Sequence, residues 1–324
     1  MLSIYVARPS GLQRTDLRAG EALPPDTLWI DLKDPTSEEE RQVESALGID
    51  IPTRDEMREI EASNRFYEEN GALYATATIV TKLDTDLPES TQVTFILCGP
   101  MLITNRYADP LPFRRFIAYS ANHPALCTSA AITLGGLLEA IVNRIADVLE
   151  KVGSEVDSLS SEIFSRSYAP RTAPLDFRRV LERIGQCGEL VSKARESLVS
   201  LARLLGFVQQ SANSQVPHDA TARYREISRD VNAMSDHASF LGDKVQFVLD
   251  ATLGMVSIDQ NNILKIFSVV TVVLLPPSVI TGFFGMNFEH MPWLHERWGL
   301  LAAAATMVAS AVIPYALFRR RGWL

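Results

Sequence analysis

Apolar positions along the chain change their period twice. Residues 1–125 alternate short apolar runs with turn signals, the pattern of a mixed α/β domain. Strands are predicted at Leu28–Leu32, Tyr74–Lys82, Gln92–Cys98 and Met101–Asn105. Ser37 precedes the acidic run Glu38-Glu39-Glu40 and reads as a helix cap, with the acids in the first turn. A second short helix is expected over residues 53–60. From Thr128 the apolar steps become three and four: Leu134, Leu138, Ile141, Ile145, Val148 and Val152 share one helical face. Pro170 and Pro174 end that helix, and another is expected from Leu175 to Gln210. The two make an antiparallel hairpin, and residues 126–223 form a helical segment behind the α/β domain.

A third helix is expected from Tyr224 to Phe284, with no proline before Pro276 and no turn signal. A helix of that length extends about 90 Å. Its apolar stripe is Ile227, Val231, Met234, Ala238, Leu241, Val245, Val248, Thr252 and Met255. These steps alternate four and three, a heptad register that asks for neighbouring helices.

Charge then disappears twice. Residues 266–284 and 298–318 carry none. At about 1.5 Å per residue both match a bilayer's hydrocarbon thickness. The stalk helix 224–284 is therefore expected to become the first span. Residues 285–297 form an outer loop, 298–318 a second span and 319–324 a basic tail. Lys265 and Arg319-Arg320-Arg321 flank the spans on one side, while the loop holds Glu289, Glu296 and a single cation, Arg297. The positive-inside rule places both termini in the cytosol. Trp293, Trp298 and Trp323 suit the interfacial belts. Met1–Pro9 lacks the basic and apolar regions of a signal peptide, so no cleaved leader is expected.

Composition narrows the function. Hydrophobic residues make up 47% and charged residues 22% of 324, as in a folded protein. Lys and Arg total 31 against 39 Asp and Glu, a net charge of −8 that argues against a nucleic-acid partner. Cys98, Cys127 and Cys187 are too dispersed for a disulfide framework or a metal knuckle and are expected to be buried thiols. No GxxxxGK[ST] motif and no nucleophile–histidine–acid arrangement is present, so no enzyme is expected. His290 and His295 are either a zinc pair or incidental. Glu139, Asp147, Glu150, Glu155, Asp157 and Glu162 make one hairpin helix acidic, as a cation-concentrating face or as a solvated one.

A second heptad stripe on the third helix continues into the apolar span: Asp250, Gly254, Ser257, Asn261, Leu264, Ser268, Thr271, Leu275, Ser278 and Gly282. All but two leucines are small, hydroxylated or polar. Lipid does not stabilise such a face, so it meets protein or water. It serves either helix–helix packing through small residues or a pore lined by one helix from each of several copies.

The first span ends at Gly285-Met286-Asn287, followed by Phe288-Glu289 and Met291-Pro292. With the Pro276-Pro277 doublet and a basic tail ending Trp323-Leu324, this C-terminal region resembles the CorA metal-ion transporter family. The resemblance implies a funnel-shaped homopentamer: an α+β cytosolic domain, a long stalk helix and two C-terminal transmembrane helices in a bacterial inner membrane. It implies a Gly285-Met286-Asn287 selectivity ring, an Asn261 ring near the cytosolic mouth, and a hydrophobic gate among Leu264, Phe267 and Leu275. Magnesium would be both cargo and regulatory ligand, with cobalt or nickel as further permeants and no organic cofactor. The matching regulatory acids are Glu226, where the family commonly has aspartate, and Asp250. Asp84, Asp86 and Glu89 form the nearest acidic loop. Trp293 stands where magnesium-transporting members commonly carry an acid, which leaves Glu289 and Glu296 to supply outer charge. A zinc transporter of the related ZntB type is the alternative within the class, and a non-conducting coiled-coil scaffold the alternative outside it.

Overall fold

A computed structural model describes residues 1–15, 21–83, 88–165, 176–211, 218–286 and 297–322. It divides into two units, residues 1–249 and 250–324. The first is built on a seven-stranded mixed sheet: β1 (Leu2–Arg8), β2 (Gly11–Thr15), β3 (Thr27–Lys33), β4 (Phe66–Glu69), β5 (Ala72–Thr81), β6 (Glu89–Cys98) and β7 (Met101–Arg106). The order is β2-β1-β3-β7-β6-β5-β4. Only β3 and β7 pair in parallel, with Trp29 opposite Leu102; the other pairs are antiparallel. Asn70 and Gly71 both take positive φ, which supplies the two-residue turn joining β4 to β5.

The helices are α1 (Ser37–Leu47), α2 (Ala62–Arg65), α3 (Leu111–Ser120), α4 (Ala130–Ser165), α5 (Phe177–Ser211), α6 (His218–Phe284) and α7 (Gly299–Arg320). Helix α1 is capped by Thr36 and not by Ser37. The Thr36 hydroxyl accepts from the Glu39 N–H at 3.3 Å, and the Glu39 carboxylate accepts from the Thr36 N–H at 2.9 Å. Glu39 lies three residues after Thr36, the spacing of a capping box. The helix expected over 53–60 is a single 3-10 turn, Glu56–Arg58. Thr53 and Glu56 cap one another there, and the backbone turns extended at Glu59.

The sheet core gathers Ile30, Leu32, Val43, Tyr74, Ile96 and Ile103. A polar chain runs through the sheet. Trp29 donates to Thr104 at 3.0 Å, and Thr104 donates to Asp31 at 2.8 Å. Arg106 grips Asp31 with two bonds of 2.9 and 2.7 Å, and its guanidinium lies 4.7 Å from the Phe113 ring. Burial disfavours the Arg106 charge, but Asp31 and Asp109 outweigh it and hold that group above its ordinary pKa.

Helix α5 covers the end of β5 that β4 leaves unpaired. Ser197 donates to the Thr78 carbonyl and Ser200 accepts from the Thr78 N–H, both at 2.9 Å. These serines satisfy an exposed strand edge. The heptad stripe of α6 is largely buried from Ile227 to Val248. A β-carbon at Gly153 of α4 would stand 3.6 Å from Leu241, and one at Gly188 of α5 would stand 3.6 Å from Val245. Both arms of the hairpin thus lie against α6, at distances where a β-carbon would also fit. Tyr224 fastens the start of that stripe, its hydroxyl donating to the Ala131 carbonyl at 2.6 Å. The second unit consists of residues 250–284 of α6 together with α7. Both helices contain windows long and apolar enough to cross a membrane, almost wholly unburied within the protomer.

Candidate functional site

The polar stripe of α6 is open along its whole length. Asp250, Gly254, Ser257, Asn261, Leu264, Ser268, Thr271, Leu275, Ser278 and Gly282 are all exposed. More shielded positions of the same segment include Asn262, Val269, Val273, Pro276, Ile280 and Phe284, with Val269 at 4% exposure. At 100° per residue these two sets lie about 140° apart around the helix. One face is thus partly covered within the protomer and the hydrophilic face looks away from it.

The hydroxyls on that face have a common geometry. Ser268 donates to the Leu264 carbonyl at 2.8 Å, Thr271 to Phe267 at 2.8 Å and Ser278 to Leu274 at 2.9 Å. Each proton is spent on the preceding turn, so the oxygen presents lone pairs outward. Ser268, Thr271 and Ser278 are therefore acceptors toward the open side of the helix. Leu264, Phe267 and Leu275 are 62%, 66% and 56% exposed, so apolar rings can form between the acceptor levels. Phe267 stands at the edge of the stripe, next to Ser268.

Pro276 and Pro277 sit inside the helix. Their missing N–H groups leave the carbonyls of residues 272 and 273 without helical donors. The helix closes at Gly285, whose N–H donates to the Thr281 carbonyl at 2.9 Å, and at Met286, whose N–H reaches Phe283 at 3.3 Å. Thr281 also links the two apolar helices. Its hydroxyl lies 2.8 Å from the Pro277 carbonyl and 3.1 Å from Met307 Sδ of α7. Nothing in the spacing of the sequence singles out this pair, though a threonine four residues after a proline is a signal for the first of these bonds. Asn287, Glu289, Glu296, Trp293, His290 and His295 lie outside the described residues, as do Asp84, Asp86 and Trp323.

In the first unit, Glu226 is exposed on α6 and Glu89 pairs with Lys82 at 2.6 Å. Among the described residues no three His, Cys, Asp or Glu side chains gather as a metal site. Five of the six acids on α4 are in ion pairs. Glu155 and Glu162 hold Arg183 at 2.6 and 2.9 Å, Asp157 holds Lys244 at 2.5 Å, Glu139 pairs with Arg223, and Asp147 lies near Arg115 and Arg144. The face is neither bare to ions nor simply solvated; it ties α4 to its neighbours. Hydrogen bonding to Glu155 raises the Arg183 pKa most. Cys127 and Cys187 are buried, and burial pushes the Cys187 thiol up to about 11, so it stays protonated. Cys98, expected to be buried, is only partly so.

The CorA-like Mg2+ transporter protein family model matches residues 25–320. The magnesium transport protein CorA of Haemophilus influenzae is 32% identical over 298 residues, covering 92% of each chain. The protein of the same name from Yersinia pseudotuberculosis is 31% identical over all of both chains. The complete structure of the CorA magnesium transporter from Methanocaldococcus jannaschii superposes with a TM-score of 0.77 at 19% identity, covering 100% of this chain and 99% of that one. The fold, the apolar helix pair and these matches together place the chain in the CorA-like Mg2+ transporter protein family.

Proposed function

We propose that five copies of this chain form a funnel-shaped pentamer that conducts magnesium across a bacterial inner membrane, with both termini in the cytosol. Residues 1–125 and 126–223 form the cytosolic part, 224–284 the stalk and inner span, 285–297 the outer loop and 298–318 the outer span. The observation that carries the reading is the open acceptor face of α6, set away from its covered face. Among the described residues a single protomer supplies two candidate spans, too few to enclose a path, so the polar faces of several copies must meet around an axis.

Magnesium sheds water reluctantly and keeps an octahedral shell. Acceptor oxygens of Ser257, Asn261, Ser268, Thr271 and Ser278 can take hydrogen bonds from those waters without replacing them. Gly285, Met286 and Asn287 form the outer selectivity ring in this reading. Neutral amide and carbonyl oxygens hold a hydrated ion weakly enough to release it. Leu264, Phe267 and Leu275 close the path by dewetting. Flux follows the gradient and the membrane potential, worth about 4.6 kcal/mol per 100 mV for a divalent cation.

Regulation rests on acids of neighbouring copies. Glu226, Asp250 and Glu89 are the proposed contributors, joined only when subunits assemble. Bound magnesium bridges them at high internal concentration, and its loss releases the subunits to repel and open the pore. Glu289 and Glu296 attract cations at the outer mouth.

Flux into liposomes carrying the purified protein tests the reading, with magnesium, cobalt, nickel and zinc compared at matched gradients. Magnesium should pass, with cobalt or nickel following. Zinc flux with magnesium excluded would move the chain to the ZntB type, and no flux of any ion would leave a scaffold.

A further inference from the structure

Between α5 and the sheet edge lies a cleft of about 350 Å³ that transport does not use. Arg65, Arg195 and Arg203 line it, against one carboxylate, Glu196. Among the described residues none of the three guanidinium groups makes a salt bridge. Glu196 instead accepts from Ser90 at 3.4 Å. Arg65 is fixed in place, its Nε donating to the Glu59 carbonyl at 2.7 Å and one terminal nitrogen reaching Thr78 Oγ1 at 3.5 Å. Among the described residues its other terminal nitrogen has no partner. Burial pulls the Arg65 pKa down most; Glu196 opposes that pull, and nearby Arg203 adds a smaller one in the same direction as burial. Three cations against one carboxylate leave the cleft with a net positive charge, which an anionic occupant neutralises.

The rest of the wall narrows the occupant's chemistry. Ser200 accepts from the Thr78 N–H, which leaves its own proton free to donate. Ile60 is 88% exposed and Val199 40%, and Phe66 lines the same cleft. Water gains nothing from such a lip, whereas a flat apolar group packs on it. Guanidinium forks match phosphate oxygens, and the lip accepts a ring.

We propose that this cleft binds a small phosphorylated molecule of the nucleotide kind, held by Arg65, Arg195 and Arg203 with its ring against Ile60 and Phe66. Binding without hydrolysis is meant, since no phosphate-cradling glycine loop is present. The site lies wholly within the first unit.

Isothermal titration of the full-length protein in detergent, with free magnesium clamped, tests the proposal using ATP, AMP, inorganic phosphate and adenosine. ATP should bind saturably and tighter than AMP, AMP tighter than phosphate, and adenosine should give no saturable signal. The R65Q/R203Q double variant should weaken ATP binding by about tenfold or more. E196Q should tighten it, a gain that misfolding cannot produce. R178Q, on an exposed arginine paired with Glu182, should leave it unchanged. The proposal is overturned by absence of saturable binding at millimolar ATP, by unchanged affinity in the double variant, or by weaker binding in E196Q. Equal affinities for AMP and phosphate would overturn the assignment to a nucleotide.

Discussion

Met307 Sδ of α7 stands 3.1 Å from the Thr281 hydroxyl of α6, one turn before Gly285 closes that helix. The same hydroxyl serves the Pro277 carbonyl, and the Thr281 carbonyl receives the Gly285 N–H. Thr281 thus joins the proline doublet and the second apolar helix through its side chain, and the start of the Gly285-Met286-Asn287 segment through its backbone carbonyl. Thr281→Val keeps the shape and removes the donor. It should cost about 1 kcal/mol of helix-pair stability and lower magnesium flux, because the helix end that leads into the proposed filter is held less firmly to α7. Thermal melting of the detergent-solubilised oligomer and liposome uptake check both effects. Unchanged flux would show that the contact is passive.

Asn287→Ala separates conduction from scaffolding. In the pore reading it removes the outer ring's amide oxygens while leaving every described helix contact in place. Magnesium uptake or its selectivity over other ions should fall, with the oligomer intact by size-exclusion chromatography. A scaffold would tolerate the change without consequence.

How far these features are legible in the sequence depends on period. The α6 stripes are legible because a heptad pattern survives over dozens of residues, and burial follows it from Ile227 to Val248. Strands β5, β6 and β7 are legible as apolar runs between turns, and β3 likewise. Strands β2 and β4 escape that reading because they are short and form the two edges, although Asn70-Gly71 is a strong hairpin signal for β4; β1, as long as β3, escapes it too. Helix α3 is not among the expected elements; Pro110 and Pro112 occupy its cap and first turn, where proline is tolerated. Apart from the local Arg144–Asp147 pair, the ion pairs of α4 and the Thr281–Met307 contact are not legible, because each joins residues distant in sequence with no shared spacing.

Acid should destabilise the cytosolic unit through Asp109 and Glu39. Burial raises both carboxyls, but Lys33 and Arg106 around Asp109, and the N-terminus with the Thr36 and Leu2 N–H groups around Glu39, outweigh it and hold both pKa values below ordinary. A depressed folded pKa gives stability that is complete above the unfolded values of 3.8 and 4.5 and is lost as pH falls through the folded values. Glu40, raised mainly by burial, acts in the opposite sense. The melting temperature should therefore be level near neutrality and drop below about pH 4. Asp109→Asn should flatten part of that drop. Arg106→Met leaves Asp31 buried without its cationic partner and should cost about 3–5 kcal/mol at neutral pH.

Glu226→Ala tests the regulatory proposal. If Glu226 helps hold magnesium between subunits, its removal weakens the closed assembly without touching the acceptor face of the span. Inhibition of flux by high internal magnesium should shift to higher concentration, while maximal flux stays near wild type. Inhibition at the wild-type concentration would reject a role for this residue.

Thr271→Val addresses the acceptor face itself. Valine matches threonine in shape, so helix packing and span length are preserved. What disappears is one oxygen per copy, an oxygen whose proton is already committed to the Phe267 carbonyl at 2.8 Å and which therefore only accepts. In the proposed pore, a hydrated ion passing that level loses a hydrogen bond from each surrounding copy, and the wall there becomes apolar and harder to wet. Magnesium flux should fall about tenfold, equivalent to about 1.4 kcal/mol on the barrier, with unchanged oligomer size and melting temperature. Val270→Thr, one position off the stripe, is the matched control and should not raise or lower flux. If Thr271→Val conducts as wild type while Val270→Thr does not, the conducting face of α6 is a different one.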